Sequence, residues 1–332
     1  MEISRRDFLK LGATSIIGLG FRDFTPWALK PLDLISTYYL GRTVYSLRYY
    51  EEPSYSSNEK GYYITDSVVR IYEKVKGDPK PTNNPIWLRT EKGWLHSAYV
   101  QPVKNKLNKP LLDIPGEGML MEVTVPFTQA WKVTDRGLKR YYRCYYGSTY
   151  WVFNAFTTNL GSNWYQFFDE RTKESYQFQA EHLRPITPEE LTQIAANGKS
   201  KRIEIDLEAQ ELVAFEDSMK VFIARTATGY FEGDTPRGEF KVERKQPTRH
   251  MASNSPGNSF DLPGVPWVCY ISWTGVSFHG TYWHNNFGNP QSHGCINLTP
   301  EASKWIYRWT EPFVPFGEDY VETDYGTKVL VY

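Results

Sequence analysis

The sequence predicts a mainly β protein with more than one domain. It contains 24 Tyr, 18 Phe and 11 Trp, and aromatic side chains pack well on pleated sheets. Short segments of β type, such as Val68 to Tyr72 and Met121 to Val125, alternate with turns rich in Gly, Pro and Asn. The length of 332 residues exceeds the roughly 100 to 200 residues of a typical domain, so we expect several cores.

The first residues have the pattern of an export signal. The segment Ser4 to Lys10 contains two adjacent arginines and precedes an apolar run from Leu11 to Phe21. This run is shorter than the roughly 20 apolar residues of a membrane span, and a basic start before a short apolar region is typical of a signal peptide. The arginine pair resembles the twin-arginine motif S-R-R-x-F-L-K. We therefore expect residues 1–35 to be a signal segment and the protein to be extracytoplasmic, in the periplasm or cell wall.

No clear A-x-A cleavage site follows this apolar run. Retention of the segment would leave the protein tethered to the membrane. The alternative is that these residues are the basic, amphipathic start of an ordinary domain.

Two stretches in the first half of the chain form a loose repeat. In residues 36–104, an apolar strand and a Pro-rich turn lead to two segments that contain Trp, and Ala98-Tyr99-Val100 closes the stretch. Residues 119–186 follow the same order and close with Ala180 to Pro185. Both stretches resemble bacterial SH3-like modules, which implies two small β-barrels. Their aromatic side chains would either fill the barrel cores or contact wall glycan.

A short capped helix is predicted in the linker at residues 187–200. Thr187 or Pro188 would begin it, and Gly198 would end it. The remaining domain, residues 201–332, contains the motif that indicates chemistry.

The segment Ser292-His293-Gly294-Cys295-Ile296-Asn297 indicates a cysteine nucleophile. A free thiol is mostly protonated at neutral pH, so a catalytic cysteine needs a base in reach or a site that lowers its pKa. His293 lies two positions before Cys295, and His279 lies upstream in His279-Gly280-Thr281. Gly294 would let the backbone approach a substrate closely, and the Cys295 amide is a candidate oxyanion donor.

A zinc site is the alternative use of these side chains. Its ligands would be His279, His284, His293 and Cys295. Structural zinc sites usually show short paired spacings such as C-x2-C, and no second cysteine lies near Cys295. We therefore expect no metal and no cofactor.

The other two cysteines, Cys144 and Cys269, are expected to be buried and inert, because a lone cysteine most often behaves as a small apolar residue. A disulfide could join only these two, and none is expected. The chain has 38 Lys plus Arg and 38 Asp plus Glu, and this neutral balance gives no indication of nucleic-acid binding.

The motifs around Cys295 resemble the active-site signature of the L,D-transpeptidase catalytic domain. The resemblance is carried by His279-Gly280-Thr281 and by Ser292 to Leu298. Lys201 to Leu207 is similar to the first hairpin of that domain, and Asp234 to Phe240 is similar to its Gly/Thr-Pro-x-Gly turn. It extends over residues 201–332 and implies a β-sandwich-like domain after the two SH3-like barrels.

The resemblance implies a two-step acyl transfer on the stem peptides of peptidoglycan. Cys295 would attack the carbonyl of the third residue of a tetrapeptide stem, release the terminal D-alanine and hold the stem as a thioester. A side-chain amine of a neighbouring stem would then take the acyl group, forming a 3→3 cross-link in cell wall biogenesis. The implied partners are these donor and acceptor stems.

The resemblance also implies roles for individual residues. His279 would be the base, Ser292 would orient or support it, and the oxyanion site would be shaped by His293 and Gly294. Asn occupies position 297, where many members carry Arg, and this bears on substrate preference. The residues expected to place the substrate are Gly280, Thr281 and Asn297.

Two other functions remain open at this point. Water could attack the same thioester, which would make the protein an L,D-carboxypeptidase, and the sequence does not separate the two because nucleophile and base are shared. The second alternative belongs to another functional class: a wall-binding protein whose catalytic domain is inactive.

Overall fold

Strands dominate the architecture, as the aromatic composition predicted. The computed structural model describes residues 38–78, 83–194, 198–255 and 258–332, so the expected signal segment at residues 1–35 lies outside the described residues. Within these ranges the chain forms 25 strands, two short 3-10 turns and two α-helices. No helix in the described ranges is both long and apolar enough to cross a membrane.

Residues 38–103, called module 1 below, form two antiparallel sheets. The strands are β1 (Tyr39–Thr43), β2 (Leu47–Tyr50), β3 (Glu59–Tyr63), β4 (Val68–Ile71), β5 (Glu73–Lys76), β6 (Ile86–Arg89), β7 (Trp94–His96) and β8 (Val100–Val103). One sheet has the order β4-β1-β8 and the other has the order β3-β2-β7-β6-β5. Between β7 and β8 lies a 3-10 turn at Ser97–Tyr99.

Aromatic side chains fill the interior of module 1. Trp87 is fully buried, and the rings of Tyr50, Tyr55 and His96 pack against it with centroids 5.7, 4.8 and 5.2 Å away. An adjoining apolar cluster contains Tyr63, Val69, Ile71, Leu88, Leu95 and Val100. These rings act as core residues, which is one of the two uses expected from the sequence.

Residues 119–185, called module 2 below, form one seven-stranded antiparallel sheet. The strands are β9 (Met119–Val123), β10 (Phe127–Thr134), β11 (Gly137–Tyr145), β12 (Thr149–Thr157), β13 (Asn163–Asp169), β14 (Glu174–Gln179) and β15 (Leu183–Pro185). Their order is β11-β10-β14-β13-β12-β9-β15, and a 3-10 turn at Ala180–His182 precedes β15. The two modules therefore differ in sheet order, although their sequences form a loose repeat.

The linker helix is shorter than the sequence predicted. It is α1 (Pro188–Leu191), which begins at Pro188 as expected and ends well before Gly198. Thr192 turns to a ψ of 130°, which breaks the helical backbone. Glu190 accepts hydrogen bonds from Arg184 and from Lys304, each at 2.6 Å, so this single turn is tied to both neighbouring domains.

The C-terminal domain contains two five-stranded sheets and one longer helix. Its strands are β16 (Lys201–Asp206), β17 (Glu211–Glu216), β18 (Met219–Arg225), β19 (Gly238–Lys241), β20 (Arg244–Ser255), β21 (Asn258–Tyr270), β22 (Ser277–Gly280), β23 (Ile296–Leu298), β24 (Val321–Glu322) and β25 (Lys328–Val331), and its helix is α2 (Pro300–Trp309). The sheet orders are β18-β17-β16-β25-β19 and β23-β22-β21-β20-β24. Only two described pairs in this domain run parallel, β16 with β25 and β22 with β23.

One core lies between these two sheets and helix α2. It includes Ile203 and Leu212 of the first sheet, Phe278 of the second, and Ile306 of the helix, all fully buried. The same cluster contains Leu120 of β9 and Ile186, which directly follows module 2. Module 2 and the C-terminal domain therefore share one apolar core and are not joined by the linker alone.

Candidate active site

The short parallel pair β22 and β23 brings the predicted nucleophile and base together. In this pair, Phe278 lies opposite Ile296 and His279 lies opposite Asn297, so Cys295, directly before β23, lies opposite Ser277. Residues two apart on a strand share a face. The side chains of Ser277, His279, Cys295 and Asn297 therefore face the same side of the sheet.

The Cys295 thiol sits beside a buried hydroxyl. Ser277 Oγ lies 3.6 Å from Cys295 Sγ, and the carbonyl oxygen of Gly275 lies 3.7 Å from the same sulfur. Burial raises the pKa of the Cys295 thiol, and the hydrogen bonds from Ser277 oppose this rise. A donor to sulfur stabilises the thiolate, so Ser277 favours the reactive form.

Cys144 and Cys269 differ from Cys295 in their surroundings. Both are fully buried free thiols, and burial raises their pKa to about 12 and about 11 respectively. These environments are those of unreactive core cysteines.

His279 is a neutral imidazole in this site. It is buried, and burial lowers its pKa to about 4. Its Nδ1 lies 3.3 Å from the carbonyl oxygen of Gly280, so Nδ1–H donates there and the lone pair is on Nε2. The ring packs against Trp283 with centroids 5.5 Å apart. His279 is therefore neutral at neutral pH with a free lone pair on Nε2, and burial makes it a weaker base than a free imidazole.

Ser292 holds the loop that precedes the nucleophile. Its hydroxyl donates to the carbonyl oxygen of Cys295 at 2.6 Å and accepts from the Gly294 amide at 3.0 Å. The resemblance implied that Ser292 supports His279, whereas these two hydrogen bonds go to the nucleophile's own loop. The side chain thus fixes the backbone turn from which Cys295 projects.

Gly294 occupies a position that requires glycine. Its φ of 130° lies in a backbone region that residues with a side chain rarely adopt. A Cβ at this position would lie 2.6 Å from the carbonyl oxygen of Asp234. The Gly294 carbonyl accepts a hydrogen bond from Thr235 Oγ1 at 2.8 Å, and the same hydroxyl accepts from the Gly229 amide at 2.8 Å. The Asp-Thr-Pro turn therefore supports the nucleophile loop from below.

Cys295 and His279 line a cavity of about 440 Å³. This volume is within the range of ligand-binding sites. The long hairpin of β20 and β21 contributes Met251, Phe260 and Leu262, and module 1 contributes Tyr45. No Asp, Glu, Lys or Arg occurs among the described residues that line it. The predicted site residues on its wall are His279, Ser292, His293, Gly294, Cys295 and Asn297.

Gly280 and Thr281 lie away from this wall. A Cβ on Gly280 would lie 2.7 Å from Pro266 and 2.8 Å from Ser303, so the glycine permits close packing against the start of α2. Thr281 is buried, and its amide donates to the carbonyl of Leu298 at 2.9 Å. Both residues support β22 here, although the resemblance assigned them to the substrate.

Asn297 is held by His284, a histidine that the sequence suggested only as a zinc ligand. His284 Nδ1 accepts from the Asn286 amide at 3.2 Å, and its Nε2 lies 2.8 Å from Asn297 Nδ2. Burial lowers the pKa of His284 to about 3, so one nitrogen carries a single proton. That proton belongs on Nε2, because Nδ1 accepts. Asn297 Oδ1 has no partner and is buried, so turning the amide over pairs Oδ1 with Nε2–H.

The described residues contain no group of three or more His, Cys, Asp or Glu side chains that could hold a metal ion. Of the four side chains in the zinc alternative, His284 is engaged with Asn286 and Asn297. The ring of His293 instead stacks with Phe260, with centroids 5.8 Å apart.

Sequence reasoning missed two residues of the site, Ser277 and Tyr45. Ser277 carried a usable signal, because it lies two residues before His279 in a strand and therefore on the same face. Tyr45 carried none, because its position depends on how module 1 packs.

Comparison with known proteins identifies the domain that contains Cys295. Residues 200–331 match the YkuD family model, described as the L,D-transpeptidase catalytic domain. The region that contains Cys295 is thus similar to L,D-transpeptidase catalytic domains. L,D-transpeptidase 1 of Mycobacterium tuberculosis, from two strains, is 36% identical over 81 residues, or 22% of this chain and 32% of the relative. The chain thus spans about a third of the length of these curated relatives.

Solved L,D-transpeptidases are also similar to part of the chain. A crystal structure of residues 123–326 of the enzyme from Xylanimonas cellulosilytica DSM 15894 is 26% identical, with 40% of this chain and 61% of that chain covered and a TM-score of 0.30. The catalytic domain of the E. faecium L,D-transpeptidase, solved by NMR, is 26% identical, with 41% and 99% covered and a TM-score of 0.32.

Proposed function

We propose that the protein is a peptidoglycan L,D-transpeptidase with Cys295 as its nucleophile. The main support is the juxtaposition of Cys295 and His279 on neighbouring parallel strands, facing one uncharged cavity within an L,D-transpeptidase catalytic domain. The substrates in this proposal are tetrapeptide stems as donors and neighbouring stems as acceptors.

In the first half-reaction, Cys295 Sγ attacks the carbonyl carbon of the third stem residue. The thiol proton passes to Nε2 of His279, which is neutral and therefore free to accept it. The C–N bond to the terminal D-alanine then breaks, and His279 returns the proton to the leaving amine. The products are free D-alanine and a thioester on Cys295.

In the second half-reaction, a side-chain amine of a neighbouring stem attacks the thioester carbon. The new C–N bond forms the 3→3 cross-link, the C–S bond breaks, and the amine proton passes through His279 back to the thiolate. Negative charge develops on the carbonyl oxygen in both steps. The Gly294 amide already donates to Ser292, so the backbone amides of His293 and Cys295 are the candidate donors to stabilise this charge.

Export by the twin-arginine route is part of the proposal. Peptidoglycan stems are outside the cytoplasm, and Arg5 and Arg6 have the spacing of that signal. Replacing both arginines by lysine is expected to leave the protein in the cytoplasmic fraction. Unchanged export of the double variant would contradict this part of the proposal.

Intact-mass spectrometry tests the chemistry directly. The full-length protein is incubated with a tetrapeptide stem that ends in D-alanine, and the protein mass is followed over time. Wild type is expected to gain a stem lacking D-alanine, Cys295→Ala is expected to gain nothing, and Cys144→Ala is expected to behave as wild type. Cross-linked stem dimers should appear together with the adduct.

Other outcomes of this experiment would change the assignment. An adduct that decays only to free tripeptide would make the protein an L,D-carboxypeptidase. A wild-type protein that binds stems without an adduct would be a wall-binding protein with an inactive domain. An adduct that persists in a folded Cys295→Ala variant would exclude Cys295 as the nucleophile.

A further inference from the structure

Module 1 supplies part of the wall of the active-site cavity. Tyr45 lies in the turn between β1 and β2, and it lines the cavity together with Cys295 and His279. Its side chain remains 53% exposed, so much of the ring is free to contact a ligand. A tyrosine from outside the catalytic domain therefore borders the space in front of the nucleophile.

Tyr45 is held in place through Tyr99 and the nucleophile loop. The two rings meet edge to face with centroids 5.3 Å apart, and the Val44 amide donates to the carbonyl of Tyr99 at 2.9 Å. The hydroxyl of Tyr99 accepts from Gln291 Nε2 at 3.0 Å. Gln291 directly precedes Ser292 and also lines the cavity, so one chain of contacts joins Tyr45 to the nucleophile loop.

A buried arginine anchors the same turn on its other side. Arg42 donates to the carbonyl of Tyr282 at 2.6 Å and forms an ion pair with Asp66 at 2.5 Å. The Asn285 amide donates to the carbonyl of Ala98 at 2.6 Å. Module 1 thus contacts the segment between His279 and Cys295 near its start, at Tyr282 and Asn285, and near its end, at Gln291. Because a rigid anchor loses little entropy on binding, this placement suits a residue that selects a ligand.

The character of the cavity indicates which part of a peptide Tyr45 would contact. The aromatic side chains on the cavity wall include Tyr45 and Trp283, and no carboxylate, ammonium or guanidinium group lies on the described wall. Burial raises the pKa of the Tyr45 phenol, which keeps it neutral. Such a surface favours methyl groups and planar amides over charged termini.

We propose that Tyr45 is a specificity-determining residue whose ring packs against the uncharged peptide segment next to the amide that Cys295 attacks. The inference rests on the proposed function and deepens it by giving module 1 a direct part in substrate binding. It predicts that loss of the ring weakens stem binding without impairing the chemistry at Cys295.

Binding is measured by calorimetry in full-length Cys295→Ala protein, with a tetrapeptide stem ending in D-alanine as the probe. Adding Tyr45→Ala is expected to raise the Kd about tenfold, while Tyr45→Phe, which keeps the ring, stays within about twofold. The matched control is Tyr62→Ala, which removes a ring that is 67% exposed on β3 of the same module and away from the cavity.

Kinetics in the active protein give a second measurement. Tyr45→Ala is expected to raise KM about tenfold with kcat within about twofold, because the lost contact is shared by ground state and transition state. Its rate of Cys295 alkylation by iodoacetamide should match wild type, which would show that the loop is intact.

Three results would overturn the inference: equal Kd values with and without the Tyr45 ring, an equal loss in Tyr62→Ala, or no stem binding by the Cys295→Ala protein. Failure of the proposed function looks different. Stem binding that depends on Tyr45, with no adduct in wild type, would retain the inference and remove the transpeptidase activity.

Discussion

Replacing Thr235 by valine removes one hydroxyl beneath the nucleophile loop. Thr235 is buried, and its Oγ1 accepts from the Gly229 amide and donates to the Gly294 carbonyl, both at 2.8 Å. Valine has nearly the same shape, so packing is kept while two backbone groups, the buried Gly294 carbonyl and the half-buried Gly229 amide, lose their partner. Orphaning the buried Gly294 carbonyl costs about 1 to 3 kcal/mol and orphaning the half-buried Gly229 amide about 1 to 2 kcal/mol, so the free energy of unfolding should fall by about 2 to 5 kcal/mol.

Two measurements follow from this change. Calorimetry should show a Tm lower by about 4 to 20 °C, since each kcal/mol is worth about 2 to 4 °C in a chain of this size. Intact-mass kinetics should show acylation of Cys295 slowed about 10- to 100-fold, because the released Gly294 carbonyl lets the nucleophile loop shift.

Thr235→Ser is the matched control, because serine keeps the hydroxyl and loses only the methyl group. It should lose no more than about 1 kcal/mol of stability and should acylate like wild type. The reasoning is refuted if Thr235→Val melts within about 2 °C of wild type and acylates normally, or if serine is as damaging as valine.

Three further changes test other parts of the structure. Ser277→Ala should slow alkylation of Cys295 at neutral pH roughly tenfold, as a lost hydrogen bond of about 1.5 kcal/mol to a thiolate implies; an unchanged pH profile of alkylation would contradict it. Lys245 is buried, and burial lowers its pKa from 10.5 to about 8. Between these two pH values the unfolded chain binds more protons than the folded chain. The free energy of unfolding should therefore rise with pH in this range, by roughly 3 kcal/mol. Urea unfolding should show this rise as a difference between wild type and Lys245→Met, and no difference would count against it. Arg42→Met removes the buried partner of Asp66, which keeps only its ion pair with the half-exposed Arg143, and should cost up to about 3 to 5 kcal/mol in the same assay, a loss below about 1 kcal/mol being the contrary result.

The approach of Cys295 and His279 to one another could be predicted from the sequence because both lie in short local motifs. Cys295 is flanked by residues that suit a reactive loop, and His279 is near enough in the chain to return beside it. The mainly β character was likewise predictable, because it follows from composition. The strands in or next to which these motifs lie, β22 and β23, are buried, so the alternation of side chains read from the sequence is kept in the folded protein.

The remaining features depend on contacts that no local pattern encodes. The linker helix ends at Leu191, where the Thr192 backbone leaves the helical conformation, and does not extend to the glycine at position 198. Gly280 resembled a substrate-binding residue, but its lack of a side chain is required by Pro266 and Ser303. Tertiary packing decided each of these cases.

The common core of module 2 and the C-terminal domain limits how this chain can be divided. Residues 38–332 form one compact unit, and the apolar cluster beneath the active-site sheet includes Leu120 and Ile186. A fragment cut at residue 200 would leave an apolar surface uncovered, which favours aggregation. The C-terminal domain is therefore not expected to fold well when it is moved alone into another protein. A chimaeric protein that contains it should also contain residues 119–194.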